Sequence, residues 1–235
     1  MKLGGLQKLT LLDFPEHVAC TVFTLGCNFR CPYCHNSSLV IPGREHVEGE
    51  LTEEEFFKFL QKRKGLLDGV AITGGEPLIH KDIKDFIRKI REAGYLVKLD
   101  TNGAFPGMLK EILDEGLVDF VAMDIKSNLE GYGAVCGLSD PPVAKLKESI
   151  SLLRNSGIKH EFRTTVIEEV HDEEIMKKIG ELIEGADRYF LQQFEDSGEL
   201  IEEGRYTSPS MEKMEKLLAT VRDKVPNAQI RGVEE

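Results

Sequence analysis

Apolar and polar positions switch between a strand-like and a helix-like spacing almost from one end of the chain to the other. Residues 18–25 (VACTVFTL) form a β-rich apolar run that stops at Gly26. Residues 51–64 open with Thr52 and Glu55, a capping-box pair, and continue with apolar residues at helical spacing. Residues 69–73 read as a short buried strand, and 80–93 as an amphipathic helix stopped by Gly94. The pattern then predicts strands at 96–100, 119–124, 159–166 and 187–194, with helices at 106–115, 144–156 and 172–183. A last helix at 210–224 and a short tail around 228–231 follow. Such alternation implies an α/β fold with a parallel sheet and right-handed crossovers. The long irregular stretches are 36–50, 127–142 and 195–209. Loops of that length inside a compact domain are usually functional or disordered.

Polar residues gather where the strands end. Cys27 onward follows the first strand, and Thr73-Gly74-Gly75-Glu76-Pro77 follows the second. Asp100-Thr101-Asn102-Gly103 follows the third, and Asp124-Ile125-Lys126 closes the fourth. The fifth strand carries Arg163-Thr164-Thr165 and the sixth Gln192-Gln193. In parallel α/β sheets the carboxyl ends of the strands form the ligand-binding rim, so these motifs read as one active site.

Composition narrows the function classes. The chain has 235 residues, 41% hydrophobic and 30% charged, a balance that suits a globular protein with one sizeable core. A single domain over residues 1–235 is expected, with its core at about 18–194 and a C-terminal loop and helix at 195–235. The net charge is −11 and no Lys/Arg-rich block occurs, which argues against nucleic-acid binding. No apolar run approaches the ~20 residues that span a bilayer, and the N-terminus lacks a signal-peptide pattern, so no membrane association and a cytoplasmic location are expected. Three of the five cysteines fall within eight residues, a clustering that favours a metal or redox site over a disulfide framework.

That cluster is Gly26-Cys27-Asn28-Phe29-Arg30-Cys31-Pro32-Tyr33-Cys34-His35-Asn36, a C-x3-C-x2-C spacing. Thiolates suit an iron–sulfur cluster or zinc. Three ligands on a four-iron cluster would leave one iron open to a cofactor. The competing reading is a Cys3His zinc site completed by His35 or His46. Cys20 in the first strand and Cys136 in a distant loop read as non-ligands. Gly74 and Gly75 let backbone come close to a ligand, and Glu76 can accept a hydrogen bond from an ammonium group; a plain turn before a helix is the alternative. Asp124 and Lys126 are two apart, hence on one face of a strand, where burial requires pairing or a ligand. The Arg163 guanidinium suits bidentate recognition of a carboxylate, or a structural bridge to Asp124 or Glu76. One of Gln192 and Gln193 can face the site, because neighbours on a strand point opposite ways. His17, His46, His80, His160 and His171 lack ligand-like spacing and read as surface or capping residues.

The cysteine motif followed by His-Asn, with GGEP downstream, resembles the radical S-adenosylmethionine (SAM) superfamily, specifically the activating enzymes of glycyl-radical enzymes. Gly5-Leu6-Gln7-Lys8, Asp13-Phe14-Pro15 and GCNFRCPYCHN are most similar to activators of anaerobic ribonucleotide reductase, and the resemblance extends from about Gly5 to Phe194. It implies a partial (β/α)6 TIM-like barrel, with Cys27, Cys31 and Cys34 ligating a 4Fe–4S cluster whose fourth iron takes SAM. It also implies Tyr33 against the adenine, Glu76 of the GGEP motif (Gly74, Gly75) on the methionyl amine, and Arg163 on the SAM carboxylate. Asp100, Thr101 and Asp124 would bind a monovalent cation near that carboxylate, with Lys126 completing the D-x-K motif and Asn102 on the ribose. Reductive cleavage of SAM would then generate a glycyl radical on a partner enzyme related to anaerobic ribonucleotide reductase or pyruvate formate-lyase. A flavodoxin or ferredoxin would supply the electron. A small-molecule radical SAM enzyme such as 7-carboxy-7-deazaguanine synthase, and a non-enzymatic zinc or iron–sulfur module, are the competing readings.

Overall fold

A computed structural model describes residues 1–41, 51–196 and 198–232. Contacts divide the chain into two compact units, each taken by itself below. The first comprises Met1–Asn28, Asn36–Thr101 and Phe105–Val121; the second comprises Phe29–His35, Asn102–Ala104 and the chain from Ala122 onward.

In the first unit, β1 (Leu3–Thr10) runs antiparallel to β2 (Ala19–Thr24), and β2, β3 (Gly69–Gly74) and β4 (Leu96–Thr101) follow in parallel. The helices are α1 (Ser37–Val40), α2 (Glu53–Lys62), α3 (Ile83–Glu92) and α4 (Pro106–Asp114). The capping box forms as read: the Thr52 hydroxyl accepts the Glu55 amide, and Glu55 accepts the Thr52 amide. On α3, Ile83, Phe86, Ile87 and Ile90 are buried at helical spacing, and Gly94 follows at a φ of +94°. Phe14, Ala19 and Phe120 pack together with Leu96 against them.

The strand β5 (Phe120–Asp124) leads into the second unit, which holds α5 (Tyr132–Cys136), α6 (Val143–Asn155), β6 (Lys159–Val166) and α7 (Glu173–Leu182). It ends with β7 (Tyr189–Gln193), α8 (Met211–Arg222) and β8 (Gln229–Arg231), the last running parallel to β7. The sheet order is sequential from β1 to β8, an α/β fold with its parallel strands in one open sheet.

Several elements differ from the pattern reading. The sequence pattern does not mark the strand β1, because its residues are mostly exposed or half-buried and two are glycines, so apolar alternation is lacking. The helix expected from residue 80 begins at Ile83, because Glu76 caps a short 3-10 turn at Pro77–Ile79 first. The stretch 127–142 is not an irregular loop: it carries α5, which buries Tyr132, Val135 and Cys136. Of 36–50, the described part holds α1, and residues 42–50 with His46 lie outside the described residues.

Candidate cofactor site

The first unit builds a strap beside the start of the cysteine motif. The Gly75 amide donates to the Thr24 carbonyl (2.9 Å) and the Glu76 amide to the Gly26 carbonyl (2.8 Å). A Cβ on Gly75 would lie 1.9 Å from the Gly26 oxygen, and one on Gly74 would lie 2.4 Å from the Thr24 nitrogen. Gly74 also has a φ of +111°, a conformation that L side chains rarely adopt. The two glycines thus let the strap lie against the residues that precede Cys27. That close approach, of chain to chain, is the visible reason for the glycine pair.

Glu76 is 1% exposed, and its Oε1 accepts the Thr101 hydroxyl (2.8 Å) and the Leu78 amide (3.1 Å). Thr101 therefore serves the carboxylate of the strap. On the same strand, the ammonium of buried Lys98 lies 2.5 Å from Asp100. The half-buried Cys27 has its sulfur 3.9 Å from Asn28 Oδ1.

The second unit holds the rest of the cysteine loop. The Cys34 amide donates to the Cys31 carbonyl (3.0 Å), folding the chain over Pro32 and Tyr33. The Arg30 amide donates to the Cys136 carbonyl (2.9 Å), and the Glu202 amide to the Pro32 carbonyl (2.9 Å). Next to Cys136, Gly137 has a φ of +71° and its Cβ would fall 2.2 Å from the Arg30 oxygen. Cys136 is thus a buried residue at the end of a helix that supports the motif, and not part of a distant loop. Phe29 meets the Tyr132 ring at 6.4 Å.

Tyr33 is buried against Phe194 and Tyr206, with the Lys126 ammonium 5.9 Å from its ring centre. Burial pushes the Tyr33 hydroxyl well above its ordinary value, although Lys126 acts in the opposite sense. Burial by itself would lower Lys126, but its electrostatic coupling to Tyr33, Cys31 and Asp124 outweighs it and raises the amine well above its ordinary value. Asp124 is bridged by two cations: Arg163 donates from Nε (3.1 Å) and Nη2 (2.9 Å) to one oxygen, and Lys126 approaches the other at 3.4 Å. Burial would raise this carboxyl, yet Arg163 and Lys126 hold it below the usual range. Of the partners considered for Arg163, the structure shows Asp124. Asn102 is buried and its Oδ1 accepts the Ala104 amide (3.0 Å), an Asn turn at the end of β4.

Register separates the two glutamines. Arg163 pairs with Phe190 and Thr165 with Gln192, so Gln192 shares the face of Arg163. Gln193 points the other way and donates to the Pro209 carbonyl (2.7 Å). Two histidines depart from the expected surface role. His171 is 1% exposed, accepts the Ile167 amide on Nδ1 (2.9 Å) and places Nε2 3.1 Å from the Lys126 carbonyl. Burial lowers it to about 4, so it is the neutral imidazole, donating from Nε2. His160 is 7% exposed and stacks edge-on with Phe162. A lone histidine in a polar sequence context carries no signal for burial, and nothing in the residues 167–171 marks that contact in advance.

Among the described residues no group of three His, Cys, Asp or Glu side chains is set out to hold a metal ion. What fits a cluster is the donor chemistry, three soft thiols on one short stretch with a lysine charge acting on Cys31. In the first unit the buried Glu76 acceptor suits an ammonium such as that of SAM; the second unit, taken by itself, offers the cationic pair Arg163 and Lys126, which suits a carboxylate. The expected monovalent cation fits less well at Asp100 and at Asp124, because each carboxylate already bonds to a cationic side chain.

An α/β chain with a thiol loop after its first parallel strand and charged groups at later strand ends has the donor set of a protein that binds a soft-metal cofactor at its strand ends. The family model described as the radical SAM superfamily matches residues 21–182, and the chain belongs to that superfamily. It is therefore an enzyme of a family that works with a 4Fe–4S cluster and SAM. It is 31% identical to a putative glycyl-radical enzyme activating enzyme of Methanocaldococcus jannaschii, over 98% of this chain and 96% of that one. It is 29% identical to the pyruvate formate-lyase-activating enzyme of Clostridium pasteurianum, over 77% of this chain and 76% of the relative. A crystal structure of a domain of pyruvate-formate lyase-activating enzyme from Bacteroides vulgatus superposes with a TM-score of 0.56 at 22% identity, covering 70% of this chain and 99% of that domain. Among the described residues, no helix is long and apolar enough to cross a membrane.

Proposed function

We propose that this chain reductively cleaves SAM at a 4Fe–4S cluster and generates a glycyl radical on a partner enzyme. The observation that carries the reading is the near end-to-end likeness to a putative glycyl-radical enzyme activating enzyme, supported by the likeness to a pyruvate formate-lyase-activating enzyme. The partner is a glycyl-radical enzyme of the anaerobic ribonucleotide reductase or pyruvate formate-lyase type, and a flavodoxin or ferredoxin supplies the electron. The chain works as one radical SAM domain in the cytoplasm.

Cys27, Cys31 and Cys34 are the cluster ligands. Glu76 takes the methionyl ammonium, with Thr101 fixing the orientation of its carboxylate. Arg163 and Lys126 meet the SAM carboxylate, and Asp124 holds both in place. Tyr33 borders the adenine and Asn102 the ribose, while Gly74 and Gly75 keep the strap flat against the motif. When bound, the cluster and SAM supply a one-electron cleavage and a hydrogen-atom abstraction; the protein contributes position and exclusion of water.

The test uses anaerobically purified protein, a low-potential reductant and the glycyl-radical enzyme encoded in the same genome. Iron and sulfide in a four-to-four ratio, and a SAM-dependent glycyl doublet in electron paramagnetic resonance, are expected. Stoichiometric zinc in place of iron sinks the cofactor assignment. Cleavage of SAM without any protein radical sinks the partner assignment alone.

A further inference from the structure

The Lys98–Asp100 pair has no role in the reading above. The two residues are two apart on β4 and so share a face. The Lys98 ammonium lies 2.5 Å from Asp100 Oδ1 and 5.9 Å from the centre of the Phe120 ring, and Lys98 as a whole is 1% exposed. Phe120 belongs to the apolar cluster with Phe14 and Ala19, and Lys98 sits opposite Ala71 of β3.

A buried ammonium is costly unless a counter-charge lies beside it, and Asp100 is that counter-charge. The converse follows. A carboxylate already bonded to a buried ammonium has little attraction left for a dissolved cation, because the second positive charge would be repelled at short range in a weakly screening interior. The ammonium also has an entropic lead: its position is fixed by folding, whereas an ion must be taken from solution. Asp124, another of the expected donors, is bonded to Arg163 and approached by Lys126.

We propose that Lys98 is the resident cation of this strand end: its ammonium takes the place at Asp100 that the family resemblance gives to a monovalent metal ion. The chain then binds SAM without an alkali cation, and Lys98 is a positioning residue that holds Asp100 and its strand end in shape. The SAM part of this statement rests on the proposed function; the ion part does not.

Two measurements test it. Thallium(I), a spectroscopic substitute for potassium, is titrated into the cofactor-free protein and followed by thallium nuclear magnetic resonance. No saturable binding is expected for the wild type, and Lys98→Met should acquire a site that the double variant with Asp100→Asn lacks. SAM affinity of the cluster-loaded enzyme is then compared in tetramethylammonium chloride and potassium chloride at equal ionic strength. The wild type should change by less than about twofold, whereas Lys98→Met should lose about tenfold and recover with potassium. Saturable thallium binding to the wild type that Asp100→Asn removes overturns the proposal, as does a wild-type affinity that rises severalfold with potassium. If Lys98→Met does not fold, the wild-type titration with its Asp100→Asn control decides alone. If no salt supports SAM binding, the functional reading fails while the thallium result still judges the ion.

Discussion

Glu76 is the residue on which the cofactor reading leans most. Its carboxylate is almost fully enclosed and its Oε1 is oriented by Thr101 and the Leu78 amide. Replacing it with Ala should weaken SAM binding by about 1.5–3 kcal/mol, the range for a hydrogen bond to a charged group. Calorimetric titration of the cluster-loaded protein measures this, and an unchanged affinity with the cluster intact removes Glu76 from the site. The cysteines divide just as sharply. Burial pushes the Cys20 thiol up to about 12, and burial also raises Cys136, so neither offers a thiolate readily at neutral pH. Cys31, in contrast, shares its surroundings with the Lys126 ammonium. Cys31→Ala should abolish the broad visible absorption of the anaerobic protein, while Cys20→Ala keeps it. The expectation for Cys136→Ala is the same, because its tie to Arg30 runs through the backbone carbonyl.

At the scale of elements, the cysteine loop is held in shape by segments remote from it in sequence. The stretch 127–142, irregular in its sequence pattern, buries Tyr132 beside Phe29 and ties α5 to Arg30. A similar tie joins the end of β6 to the end of β5: His171 takes the Ile167 amide and donates to the Lys126 carbonyl. The tie requires a neutral ring. An ordinary histidine titrates near 6.5, and the buried His171 is lowered to about 4, so the unfolded chain binds the proton first as the pH falls. Stability from His171 is complete above about pH 6.5 and is lost as the pH drops towards 4. Between pH 7.5 and 5 the loss should be about 2 kcal/mol. Urea unfolding of the cofactor-free protein at both pH values reads it, and His171→Gln should flatten the difference by that amount. His35 and His80 are also lowered by burial and shift both proteins alike, so the comparison isolates His171.

On the scale of the whole molecule, the last described strand is fastened by charge. Arg231 of β8 donates from Nη1 (2.9 Å) and Nη2 (3.1 Å) to Glu161 of β6, whose carboxylate is fully buried. The guanidinium also lies 3.5 Å above the Phe190 ring of β7, which spans the strand between them. Arg231→Met leaves a buried carboxylate without its partner and should destabilise the protein by roughly 3 kcal/mol. Adding Glu161→Gln should return much of that stability in denaturant unfolding. A loss below about 0.5 kcal/mol would place the pair with ordinary surface ion pairs.

What the sequence determined by itself is whatever depends on near neighbours along the chain. The periodic runs placed six of the parallel strands and most helices but not β8, the Thr52–Glu55 pair marked a helix start, and the C-x3-C-x2-C spacing with GGEP, DTNG and D-x-K marked the chemistry. Such signals are local because secondary structure and short motifs are set within a few residues. Only the tertiary structure decided which groups meet across the chain. Asp124 meets Arg163 at a separation of 39 residues, and Glu161 meets Arg231 at 70. Thr101 turns to Glu76, 25 residues away. No pattern along a chain encodes those choices, because the partner of a charge is fixed by packing and burial. A carboxylate written in a sequence can serve an ion, a ligand or a lysine, and the fold selects among them.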